Sequence, residues 1–81
     1  MLHPFYLERV EPARNMRRFY VLSLEPTLFG DVGLRREWGR MGRRGGSHRL
    51  ELHSDADTAW AALQDLYRRK LARGYAVTTD A

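Results

Sequence analysis

The sequence predicts an α+β domain: a small antiparallel β-sheet of four to five strands, joined as a meander and covered on one face by one C-terminal amphipathic helix. Two observations carry that prediction. Up to residue 53, short segments alternate side chains in the two-residue period of strands, separated by turns rich in Pro, Gly and Asn. After Ser54 the apolar spacing changes to i, i+3, i+4, i+7, the period of a helix. A lone sheet with one apolar face needs a cover, and one helix supplies it.

The first expected strand, residues 5–10, is short and bounded by Pro4 and Pro12. The second, 18–24, alternates Tyr20, Leu22 and Leu24 with Phe19, Val21 and Ser23. The third, 33–40, places Leu34, Arg36, Trp38 and Arg40 on one face and Arg35, Glu37 and Gly39 on the other. The fourth, 47–53, opposes His48, Leu50 and Leu52 to Arg49, Glu51 and His53. Turn chemistry fills the gaps: Pro and Asn in 11–16, Pro, Asp and two Gly in 26–33, three Gly in 41–46. Short turns between successive strands imply antiparallel pairing.

The helix is expected to start at Ser54 as cap, with Asp57 completing a capping-box spacing. Ala56, Ala59, Trp60, Leu63, Leu66, Tyr67 and Leu71 form its apolar stripe, so Trp60 and Tyr67 should pack under the sheet. Asp55 and Asp57 complement the positive end of the helix dipole, and Arg68, Arg69, Lys70 and Arg73 the negative end. Gly74 suits the stop, and Tyr75 should dock the chain end.

At 81 residues the chain reads as one domain over 5–77, with tails at 1–4 and 78–81. Cysteine is absent, which removes disulfides, thiol nucleophiles and thiolate-held metals. No apolar run reaches the roughly 20 residues of a membrane span, and the N-terminus lacks a signal-peptide pattern. The expectation is a cytoplasmic protein with no membrane partner.

The net charge of +4 is concentrated. Between Arg35 and Arg49 lie six arginines and one acid, Glu37, which leaves the rest of the chain at −1. Arginine offers a planar fork suited to phosphate and to stacking. Catalysis has no comparable cluster. His48 and His53 face opposite sides of one strand, and His3 is remote in sequence. Asp55 and Asp57 are better explained by capping than by acid–base work. Ser23, Ser47 and Ser54 have no His or Asp at an informative spacing. The Gly-rich 41–46 precedes no helix, so it does not match a phosphate-binding loop. No catalytic residue, metal ligand or cofactor is assigned, and the chain is expected not to be an enzyme.

Arg36, Trp38 and Arg40 line one strand face that runs into Gly42-Arg43-Arg44-Gly45-Gly46. An aromatic ring between arginines can stack on a base or sugar while the guanidiniums pair with phosphate. Residue types alone leave two readings open: Trp38 as a contact residue, or Trp38 in the core with the glycines forming only a turn.

Trp38-Gly39-Arg40-Met41-Gly42, preceded by Leu34-Arg35-Arg36-Glu37, resembles the signature of the WGR domain. The flanks resemble it too: Phe19-Tyr20-Val21-Leu22-Ser23-Leu24 before, then Ser54 leading a helix that ends Arg69-Lys70-Leu71-Ala72-Arg73-Gly74-Tyr75. The likeness spans residues 5–77. Leu28-Phe29-Gly30 and the Arg73-Gly74-Tyr75 ending are closest to short bacterial members. In DNA-dependent poly(ADP-ribose) polymerases this domain binds DNA near a strand break. The resemblance implies that Trp38 packs against a terminal nucleotide, that Arg40 contacts DNA or a neighbouring domain, and that Gly39 permits close approach. The polymerase activity is not implied, because no transferase domain is present in this sequence. The expectation is a nucleic-acid-binding module, DNA ahead of RNA, using Arg36, Trp38, Gly39, Arg40, Arg43, Arg44 and Arg49. The alternative is a protein-interaction module using the same face.

Overall fold

The computed structural model describes residues 4–78. Five strands, β1 (Phe5–Glu11), β2 (Met16–Pro26), β3 (Val32–Arg40), β4 (Ser47–His53) and β5 (Ala76–Val77), form one antiparallel sheet in the order β4-β3-β2-β1-β5. One helix, α1 (Ala56–Ala72), packs on one face. The expected α+β meander is therefore the observed fold. The tail residues 1–3, with His3, and 79–81 lie outside the described residues.

Register decides which side chains meet α1. Opposed residues of an antiparallel pair point to the same face. The pairs Leu7↔Tyr20, Leu22↔Arg36, Leu24↔Leu34 and Tyr20↔Trp38 set the helix face. Leu7, Tyr20, Leu22, Leu24 and Leu34 from the sheet and Ala59 and Leu63 from α1 form the buried core. The same register carries Arg49, Glu51 and His53 onto the helix side, through Arg36↔Arg49, Leu34↔Glu51 and Val32↔His53. Leu50 and Leu52 consequently project from the open face, 47% and 61% exposed. His48, opposite Glu37, lies on that open face and His53 on the other, so the two histidines are separated as expected.

Three local details differ from the sequence expectation. The helix cap is Asp55: its Oδ1 accepts from the Thr58 backbone N–H at 2.7 Å, one residue beyond the expected Ser54–Asp57 pair. A carboxylate at the positive end of the dipole is a stronger acceptor than a hydroxyl. Trp60 is 39% exposed at the flank of the helix, tilted against Phe5 at 5.9 Å between ring centroids, and is not in the core. Tyr67, by contrast, packs against the core as expected. Strands β1, β2 and β3 run one or two residues past their expected ends. The β1–β2 connection is correspondingly tight, a single 3-10 turn over Pro12–Arg14 closed by Asn15 at φ 52°.

The helix ends as its sequence suggests. Gly74 takes φ 102°, a left-handed conformation that releases the chain from the helix at little cost. Tyr75 then packs on the core, and β5 pairs with β1 through Leu7↔Val77 and Glu8↔Ala76. Thr78 stays tied to the sheet by donating its N–H to the Tyr6 carbonyl at 2.8 Å. No helix among the described residues is long and apolar enough to cross a membrane.

Candidate nucleic-acid interface

Along the helix face the sheet changes character from one end to the other. At the end under Ala59 and Leu63 the face is apolar: Phe5, Leu22, Leu24, Val32 and Leu34. Toward the other end, Arg9 pairs with Arg18, Arg18 with Arg40, and Arg36 with Arg49. Each pairing places two like charges on one face, where they repel. The C-terminal turns of α1 bring Lys70 and Arg73 over the same end.

An open cleft of about 640 Å³ lies between these elements. Seven cations line it: Arg9, Arg18, Arg36, Arg40, Arg49, Lys70 and Arg73. Among the described residues no carboxylate lines it. Its floor holds Tyr20 and Trp38, stacked across β2 and β3 with centroids 5.7 Å apart and planes 14° from parallel. Tyr75 meets Tyr20 edge-on at 6.1 Å. Trp38 packs against the core on Tyr20, and its ring also lines the cleft.

The cations are held in different ways. Arg36 donates to Glu51 Oε1 at 2.5 Å and lies 6.0 Å from the centroid of the Trp38 ring. Arg49 Nε is 3.7 Å from the same Glu51 oxygen, so one carboxylate bridges two neighbouring arginines. Arg40 is pinned outside the ion pairs by Asn15, donating to its backbone oxygen at 3.0 Å and its Oδ1 at 3.2 Å. Arg9 meets Glu11 at 2.9 Å. The Nε groups of Arg9 and Arg36 are buried donors without a partner.

Lys70 Nζ sits 4.3 Å from the Tyr20 centroid and 5.7 Å from the Tyr75 centroid. Burial, and then the charges of Arg73, Arg36 and Arg69, hold its pKa below the ordinary lysine value of 10.5. Ring contacts favour the ammonium, yet lost hydration and neighbouring guanidiniums outweigh them. A bound phosphate would reverse that balance.

Five of the seven residues expected at the interface meet here: Arg36, Trp38, Gly39, Arg40 and Arg49. Gly39 contributes backbone; its missing side chain faces away, where a Cβ would come within 3.1 Å of Gly46 Cα and 3.2 Å of Phe19. The tight approach at this glycine is made by the chain itself. Arg43 and Arg44 are exposed on the β3–β4 turn and do not line the cleft. Arg9, Arg18 and Tyr20 were not singled out from the sequence. Their signal is alternation: each shares a strand face with a core residue, in Leu7–Arg9 and Arg18–Tyr20. Among the described residues, no group of three or more His, Asp and Glu side chains is placed to hold a metal ion.

Comparison with known proteins supports the fold and the motif together. The sequence model of the WGR domain matches residues 3–81. The chain belongs to the WGR domain family. A relative in Sinorhizobium fredii (strain NBRC 101917 / NGR234), "Uncharacterized protein y4dW", is 46% identical over 72 residues, which is 86% of this chain and 34% of that protein. The WGR domain described here thus spans about a third of that relative's length.

Proposed function

We propose that this WGR domain is a non-catalytic module that binds nucleic acid, DNA ahead of RNA, in the cleft between the C-terminal half of α1 and the Trp38 end of the sheet. One observation carries the reading: seven cations and a stacked Tyr20–Trp38 pair line a cleft that no carboxylate enters among the described residues. Guanidiniums at this density suit consecutive phosphates, and the aromatic floor suits a sugar or base at a strand end. Arg36, Trp38, Gly39, Arg40 and Arg49 form the centre of the interface, and Arg43 and Arg44 flank it on the adjoining turn. The preference for DNA rests on the resemblance of the motif to the break-binding domain of DNA-dependent poly(ADP-ribose) polymerases.

The test is a fluorescence anisotropy titration with blunt and nicked duplexes, single-stranded DNA and matched RNA, at low and physiological salt. Binding at low salt that weakens steeply with added salt, with DNA ahead of RNA, is the expected result. Trp38→Phe and Arg40→Ala lower the affinity while circular dichroism stays unchanged. Absence of binding to every oligonucleotide at low salt overturns the reading.

A further inference from the structure

Among the described residues the sheet has one long open edge. β4 is the outermost strand on its side, and among the described residues only β3 pairs with it. The opposite edge is closed by the two-residue β5. Natural sheets blunt an exposed edge with charged side chains, lysine above all, with proline or with a bulge; the two full charges of β4, Arg49 and Glu51, are of opposite sign, so a second copy can pair them. β4, Ser47-His48-Arg49-Leu50-Glu51-Leu52-His53, contains no lysine and no proline, and its seven residues pair with β3 in unbroken register. It also carries two leucines that the fold does not cover.

The strand is complementary to its own reverse. Laid antiparallel on a second β4 about a two-fold axis through Leu50, Leu50 falls opposite Leu50 of the other copy. Arg49 then falls opposite Glu51 and Glu51 opposite Arg49, and Leu52 falls opposite His48. Opposed residues point to the same face, so both Arg–Glu pairs lie on the helix side, and on the open face the two Leu50 side chains meet with a Leu52–His48 pair on either side. The carboxylate is prepared for this. Glu51 uses Oε1 for Arg36, at 2.5 Å, while among the described residues Oε2 meets only His53 Nε2, at 3.8 Å. The Arg49 side chain is 65% exposed.

We infer that the β4 edge is a self-association surface whose partner is a second copy of this chain, joined antiparallel and centred on Leu50 into one ten-stranded sheet. The two cationic clefts then lie on the same face of the joined sheet, pointing in opposite directions. The two readings share Arg49, but the inference does not rest on the proposed function: it is argued from the β4 edge, and its test needs no nucleic acid.

The absence of cysteine makes the register directly testable. Directly opposed residues in an antiparallel pair lie about 4.5–5.5 Å apart at Cα, within disulfide reach. A Leu50→Cys chain under mild oxidation is expected to form a disulfide-linked dimer. A Leu52→Cys chain is not, since the two copies of position 52 are offset by about 13 Å along the strands. Sedimentation equilibrium of the unmodified chain is expected to show a concentration-dependent dimer, and Leu50→Lys to abolish it with an unchanged circular dichroism spectrum. A chain that stays monomeric up to concentrations on the order of 1 mM overturns the inference, as it would if the edge served an extended segment of another protein. Equal cross-linking at positions 50 and 52, or a dimer that persists in Leu50→Lys, overturns it too.

Discussion

Lys70 is the chain's only lysine, and its surroundings give it a distinct pH signature. Burial and three neighbouring arginines lower its pKa below 10.5. In the window between the folded-state pKa and 10.5, the unfolded chain holds more protons than the folded one. Stability therefore gains from this residue as pH rises through that window, and the gain is complete above 10.5. Ligand binding should run the other way. A phosphate beside Lys70 restores its proton, so affinity falls as pH climbs through the same window. The measurement is the difference between wild type and Lys70→Met in both thermal midpoint and oligonucleotide affinity from pH 7 to 11. Parallel curves for the two proteins would contradict the placement of Lys70. Glu51 shows the complementary logic at the same scale. It lets Arg36 and Arg49 sit opposite each other, so its removal leaves two adjacent guanidiniums with less compensation.

At the scale of the element, α1 depends on two positions that sequence weighs differently. Asp55 caps the helix, and hydrogen bonds from Thr58 hold its carboxyl below the ordinary value of 3.8. Its contribution is present above 3.8 and is lost as pH falls through the lower folded-state value. Asp55→Ala should lower the thermal midpoint at pH 7 more than Ser54→Ala does, and the gap should close in strong acid. Thermal denaturation at both pH values decides it. Inside the helix, Leu63 is 2% exposed and Trp60 39%. Leu63→Ala should cost about 2–4 kcal/mol through the lost transfer energy and the cavity. In a domain of this size that is a fall on the order of 10–25 °C. Trp60→Ala should cost less, despite removing the larger side chain, because it leaves a flank and not a core. The stripe that put both residues on one face was legible from the 3.6-residue period. The difference between them was not, because the period gives direction and not how far the sheet extends beneath the helix. The two-residue β5 was equally hidden, since two residues carry no measurable alternation. The four long strands were legible because alternation persisted over several residues in each.

At the scale of the molecule, charge is segregated by register more than by sequence. The Arg35–Arg49 block supplied Arg36, Arg40 and Arg49, so three of the seven cleft cations were readable as a basic cluster. Arg9, Arg18, Lys70 and Arg73 come from three other elements and reach the same cleft only through strand pairing and helix packing. Arg43 and Arg44 are the converse case. They stand in the densest part of the basic block yet protrude on the turn, outside the cleft. The two sets make opposing forecasts. If local charge density governs binding, Arg43→Ala/Arg44→Ala should be the more damaging double variant. If the cleft governs, Arg18→Ala/Arg73→Ala should be. The cleft argument is stronger, because phosphate held between the sheet and α1 meets cations on several sides, whereas a turn offers contact from one side in full solvent, where screening is greatest. Both pairs carry the same charge change, so net charge does not bias the comparison. For duplex DNA each phosphate contact removed should flatten the slope of log K against log salt by about 0.9. The Arg18/Arg73 pair should therefore lower affinity further and flatten the slope by roughly two contacts, about 1.8, with the Arg43/Arg44 pair changing both less. Anisotropy titrations over a range of salt concentrations read both quantities at once. An equal or larger loss from the turn pair would move the interface from the cleft to the β3–β4 turn.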